Sequence, residues 1–190
     1  MNKTQQPWIQ KGYQTFAYDG VGELKIERLS KEVGKNKSSF YHHFADLEVF
    51  TTRLLEYHLL QAQIMAEKEA NCSSLEELIE IIVEHKIDLL FSRQLRIHRQ
   101  NPEFEECFTK INQITLPAFL RIWSEILDLK DNSHLSEMML KLSLENFYLQ
   151  ITDETINHDW LNDYFNELKK LTREFKRTSK INIPKLNGSV

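Results

Sequence analysis

An all-α fold is predicted for this chain, and three observations predict it. Apolar residues recur at helical spacing along nearly the whole length. Breakers are scarce, with 5 Gly and 4 Pro among 190 residues, which favours long helices over many short strands. No segment reads as a credible strand, and no repeat or low-complexity stretch interrupts the pattern. The chain is 41% hydrophobic and 27% charged, which suits a soluble protein with a sizeable core. Its N-terminus has no apolar leader and no apolar run approaches a membrane span. Cys72 and Cys107 stand alone, so disulfides, zinc and export are not expected and a cytoplasmic location is.

The elements follow in order. Ile9, Tyr13 and Phe16 define a first helix near residues 6 to 19, stopped by Gly20. Ile26, Leu29 and Val33 define a second near 23 to 33, ended by Gly34, the residue best able to take a left-handed turn. A short third helix near 37 to 43 has Asn36 as its N-cap, and Asp46 caps a fourth that runs to about Ala70. Ser74-x-x-Glu77 is a capping box that opens a helix with Leu75, Leu78, Ile79, Ile82 and Leu89 on one face. Asn101-Pro102-Glu103 starts another, carrying Phe104, Phe108, Ile111, Phe119 and Trp123. Pro117 lies inside it and should kink it. A Leu- and Met-rich helix follows Asp131-Asn132-Ser133 to about Ile151, and a last one spans about 158 to 177. The expected division is a unit over 1–48, a helical bundle over 49–180 and a flexible tail over 181–190.

Helix, glycine turn and short helix make a helix-turn-helix. Its second helix, within GKNKSSFYHHF, offers a lysine and short hydroxyls at a helix N-terminus, where free N–H groups already attract anions. Tyr41 and His43 can donate to phosphate oxygens. The candidate DNA-facing set is Lys25, Lys35, Asn36, Lys37, Ser38, Ser39, Tyr41, His42 and His43. Charge favours double-stranded DNA only weakly. The net charge is -4, and residues 1 to 50 carry 7 Lys/Arg against 6 Asp/Glu.

The run FAYDGVGELKIERLSKEVGKNKSSFYHHFADLEVF resembles the DNA-binding domain of tetracycline-repressor-like (TetR/AcrR) regulators over about residues 8 to 55. Phe16 and Gly20 have the family's Phe-x-x-x-Gly spacing, and Ile26, Leu29, Ser30 and Gly34 match its second-helix pattern. Ser39-Phe40-Tyr41-His42-His43-Phe44 resembles its Thr-Leu-Tyr-x-His-Phe signature. Three positions depart from it. Lys35 replaces an apolar residue, Lys25 a Thr or Ser, and Leu47 a phosphate-touching lysine. The resemblance implies a ligand-responsive transcriptional regulator, most often a repressor, that reads a palindromic operator as a homodimer. It also implies that the last two helices form the dimer interface. Their surplus apolar residues, Leu135, Met138, Met139, Leu142 and Leu149, then Trp160, Tyr164, Leu168 and Phe175, suit that role or an intramolecular core.

For an unknown small-molecule effector, the aromatic density around Pro117 suggests a cavity. Phe91, His98, Phe104, Phe108, Phe119, Trp123 and Tyr148 are its candidate lining, with Arg93, Arg96 and Arg99 near enough in sequence to receive an acidic head group. The seven histidines read as surface or capping residues, because no metal-ligand spacing occurs. Neither metal nor cofactor is expected. An enzyme finds no nucleophile–base motif here. The rival reading is a ligand-binding or protein-interaction module whose helix-turn-helix no longer grips DNA.

Overall fold

The computed structural model describes residues 3–181, with side chains to Arg177, so most of the expected tail lies outside the described residues. Helices α1 (Gln6–Asp19), α2 (Ile26–Val33) and α3 (Lys37–His43) form the N-terminal unit. Helices α4 (Leu47–Asn71), α5 (Leu75–Glu84), α6 (Lys86–Ile97), α7 (Pro102–Ile126), α8 (Ser133–Gln150) and α9 (His158–Ile181) follow. No strand occurs among the described residues, and no helix there is long and apolar enough to cross a membrane.

The helix starts are fixed by the side chains that read as caps. Asn36 Oδ1 accepts from the Ser39 N–H at 2.8 Å, and Asp46 Oδ1 from that of Val49 at 2.8 Å. Ser74 Oγ accepts from Glu77 N at 3.1 Å, and Asn101 Oδ1 from Glu103 N at 2.9 Å. Each bond satisfies a first-turn N–H that would otherwise lack a partner.

Two boundaries differ from the sequence reading. The second helix begins at Ile26 rather than near 23, because a 3-10 turn over Val21–Glu23 follows Gly20, whose φ is 87°. The helix opened by Ser74 breaks at His85. There the chain turns, and the His85 ring bonds Asp88 across the break at 2.7 Å. Helix α7 is continuous through Pro117 although that residue has no N–H for the Gln113 carbonyl.

Phe40 anchors the N-terminal unit. It is the buried residue of α3, ringed by Trp8 of α1 at 5.4 Å, by Phe44 at 5.2 Å and by Phe50 of α4 at 5.2 Å. No linker separates this unit from the bundle. Helix α4 runs on from one into the other and packs along α7, while α1 packs on α6. Phe91 of α6 fills that second seam, stacked on Tyr13 at 4.5 Å and on Phe16 at 4.1 Å.

Helix α1 packs tightly against α4 at Gly12. A β-carbon there would sit 2.4 Å from Phe50 Cζ, and Phe50 is fully buried against Phe40 and Phe44. Gly12→Ala should therefore destabilise the fold by about 1–3 kcal/mol despite alanine's better helix propensity. Gly22→Ala, where nothing lies within 4 Å, should be close to neutral. Denaturant unfolding of the two variants checks this, and equal stabilities would refute the close-packing account.

Candidate functional sites: a helix-turn-helix face and a polar cavity

The turn between α2 and α3 is a tight glycine turn. Gly34 is left-handed at φ 70°, ψ 31°. The Lys35 N–H bonds the Ser30 carbonyl at 2.9 Å and the Gly34 N–H that of Lys31 at 3.3 Å, the paired bonds of a Schellman motif. With Phe40 held inward, α3 turns Lys37, Ser38, Tyr41 and His42 to solvent, with Ser39 and His43 half-buried beside them. The Asn36 side chain serves as the α3 cap.

Electrostatically this face is nearly self-neutralised. Lys37 pairs with Glu27 at 2.5 Å and Lys25 with Glu23 at 3.1 Å, while Arg28 joins Asp19, Glu23 and Glu32. Among the described residues Lys35 makes no ion pair. Burial, then the neighbouring His42 and Lys35, lowers the His43 pKa, so its ring favours the neutral form. Leu47, the first residue of α4, is half-buried and packs on the core.

A second site lies among α4, α5, α6, α7, α8 and α9. It is a partly open cavity of about 70 Å³, sized for a small ligand rather than the ~300 Å³ of a drug-sized pocket. Its walls are largely apolar, with Met65, Ile111, Leu116, Phe119, Trp123 and Phe147 among them. Its carboxyl groups and its histidine lie on α4 and α6, and Asn112, Thr115 and Ser143 add neutral polar groups from α7 and α8. Buried His58 holds the Tyr13 hydroxyl at its Nδ1 at 2.6 Å and the Ser92 hydroxyl at its Nε2 at 3.0 Å. The Tyr13 hydroxyl donates to Asp88 Oδ1 at 2.6 Å, and Asp88 Oδ2 is 2.7 Å from His85 Nδ1. Because Tyr13 gives its proton to Asp88, His58 donates from Nδ1 and accepts at Nε2, as a neutral imidazole does. Burial brings its pKa down to about 4, against a smaller opposing pull from Asp88. This chain of polar groups joins the cavity to α1, and hence to the N-terminal unit.

The expected lining is met in part. Phe119, Trp123 and Tyr148 line the cavity, but Phe91, Phe104, Phe108 and His98 do not. Phe91 is spent on the α1 seam, and Phe104 packs edge-on against Phe16 at 5.5 Å. Phe108 lies under the Arg96 guanidinium at 5.7 Å, and His98 caps the end of α6. The arginines are not an acid receptor either. Arg96 pairs with Glu145, and neither it, Arg93 nor Arg99 lines the cavity.

His58 is a core residue rather than a surface one, and the sequence reading, which set Tyr13 on the apolar face of the first helix, gave no part in this site to Tyr13, His58, Asp88 or Glu69. A signal existed. Leu54, His58, Ala62, Met65 and Glu69 fall at i, i+4, i+8, i+11 and i+15, one stripe of α4 with two polar members. Among the described residues no group of three His, Cys, Asp or Glu gathers to hold a metal ion.

No protein-family model matches the chain, and no curated protein matches it significantly.

The depressed His58 pKa has a definite sign in stability. Between pH ~6.5 and about 4 the unfolded chain binds a proton that the folded one refuses, so folding weakens as pH falls through that window. The loss is on the order of 3 kcal/mol. His58→Gln should flatten that part of the stability curve relative to the parent. Parallel curves from urea titrations at pH 7, 6 and 5 would contradict the buried neutral imidazole.

Proposed function

We propose that this protein is a cytoplasmic, ligand-responsive transcriptional regulator resembling the tetracycline-repressor-like family, most plainly a repressor, that binds palindromic DNA as a homodimer. The observation that carries the reading is the Gly34 turn with its two capping bonds, which sets α3 outward on the Phe40 anchor. Support for the dimer comes from α8 and α9, whose Met138, Leu142, Leu149, Leu171 and Phe175 stay exposed on the protomer. Met139, Trp160 and Tyr164 turn inward instead, so only part of the apolar surplus is available to a partner. Reading DNA with two-fold symmetry needs two copies of α3 about one helical turn apart.

In this mechanism a ligand in the cavity perturbs the polar chain that ends on Tyr13. Helix α1 shifts on α6, the two α3 helices change separation, and affinity for DNA falls. Such a switch requires the ligand to bind one arrangement better than the other.

The second reading, a module that no longer grips DNA, is favoured by the pairing of Lys25 with Glu23 and Lys37 with Glu27. Selection of bound sequences from a random DNA pool separates the two, since a regulator enriches a palindrome and the module enriches nothing. A variant sharpens the comparison. Glu27→Gln releases Lys37 for a phosphate in each subunit, so affinity should rise for all sequences alike. The log–log salt slope should steepen by about 2 per dimer. An unchanged slope in titrations of labelled DNA at several salt concentrations would mean that Lys37 does not face phosphate.

A further inference from the structure

The Glu69 carboxyl is an anomaly in the cavity wall. The residue is 1% exposed, and its Oε2 is buried with no hydrogen-bond partner. It also lies in the last turn of α4, the negative end of the helix dipole, where an anion is least favoured. An unpaired buried carboxyl costs several kcal/mol if ionised and still costs free energy if neutral.

The neighbours do not relieve it. Arg121 of α7 is the nearby cation, but its Nη2 is committed to the main-chain carbonyls of Glu69 (3.1 Å), Ala70 (3.1 Å) and Cys72 (2.5 Å), and its Nη1 leans towards Glu125. On α4 itself His58 is neutral, and on α6 Asp88 already accepts from Tyr13 and His85. Tyr148 on α8 and Tyr164 on α9 are both held as phenols, their pKa values pushed up to about 12 by burial. The Cys72 thiol beyond the end of α4 is likewise raised by burial. No Lys or Arg lines the cavity. Asn112, Thr115 and Ser143 add only neutral polar groups, so the pocket combines largely apolar walls, aromatic faces and one uncommitted carboxyl, with no positive charge to receive an anion.

We propose that the cavity binds a small organic cation, an alkylammonium whose charge pairs with Glu69 and whose apolar groups pack against Phe119, Trp123 and Phe147. An anion would meet two carboxyl groups and no counter-charge. A neutral apolar molecule would leave Glu69 as unpartnered as before. A cation supplies the missing charge, and aromatic faces favour it further. This inference rests on the cavity half of the regulator reading and is independent of whether the protein binds DNA.

Burial raises the pKa of Glu69 to about 8, so near neutral pH the empty pocket holds a proton that the cation must displace. A ligand with no titration of its own exposes that exchange. Tetramethylammonium should bind the protein alone with a Kd that tightens about tenfold per pH unit from pH 6 to 7 and levels off above about 8. It should bind at least tenfold tighter than the uncharged tert-butanol at pH 8. Glu69→Gln should abolish both the pH dependence and the preference for charge, while tert-butanol binding persists. Calorimetry and Trp123 fluorescence read these values, and the pH profile of the parent protein stands even if the variant folds poorly. Absence of saturable binding, affinity independent of pH, a preference for tert-butanol, or tetramethylammonium binding untouched by Glu69→Gln in a folded protein would each overturn the proposal. Cation binding without DNA binding would overturn only the regulator reading.

Discussion

The Tyr13 hydroxyl is the contact on which the arrangement of this molecule depends. It donates to Asp88, accepts from His58, and rides on a ring stacked against Phe91. Helix α1 thereby has one position on α6. The same helix brings Trp8 to the Phe40 anchor, so the placement of α3 follows from it. The polar side of the cavity is tied to it too, because that hydroxyl is the shared partner of His58, which also bonds Ser92, and of Asp88, which also bonds His85. In a buried, low-dielectric setting such a chain is stabilising to the extent that its members are partnered, and here His85 Nε2 is left without a partner. One contact thus ties the outward helix to the inner pocket, which is the physical basis for any communication between them.

Charge is distributed in an unexpected way between the two sites. The face that would meet a polyanion carries lysines restrained by its own glutamates, Lys37 by Glu27 and Lys25 by Glu23. The interior pocket carries a carboxyl with nothing to restrain it. Exposed pairs of the first kind contribute little to stability and exchange readily with solvent or phosphate. On the regulator reading proposed above, they would weaken association with a polyanion and make it strongly salt-dependent without abolishing it. The buried carboxyl is the opposite case, since its lack of a partner among the described residues carries a cost that exposed groups avoid.

Much of the fold was legible in the sequence because caps and turns are local chemistry. Asn36, Asp46, Ser74 and Asn101 each bond the backbone two or three residues ahead, and Gly34 takes the left-handed turn that its position implied. The break at His85 was not legible, because it depends on a ring bonding Asp88 rather than on a Gly or Pro. The candidate site was read less well. Of the aromatic residues singled out, Phe91 and Phe104 face α1, and Phe119, Trp123 and Tyr148 reach the cavity. Local periodicity cannot say which neighbour a buried ring will meet. The polar members of the α4 stripe, His58 and Glu69, were the better guide, because polar residues on a buried face need a reason that leucines do not.

A double-mutant cycle on Tyr13→Phe and Asp88→Asn tests the central claim most directly, with unfolding free energy as the readout. The account predicts that the two changes are not additive, with a coupling of about 1–3 kcal/mol, because either one breaks the same charge-assisted bond. Additivity to within about 0.5 kcal/mol would mean that the hydroxyl does not hold α1 to the bundle, and the link between pocket and helix-turn-helix would fail with it.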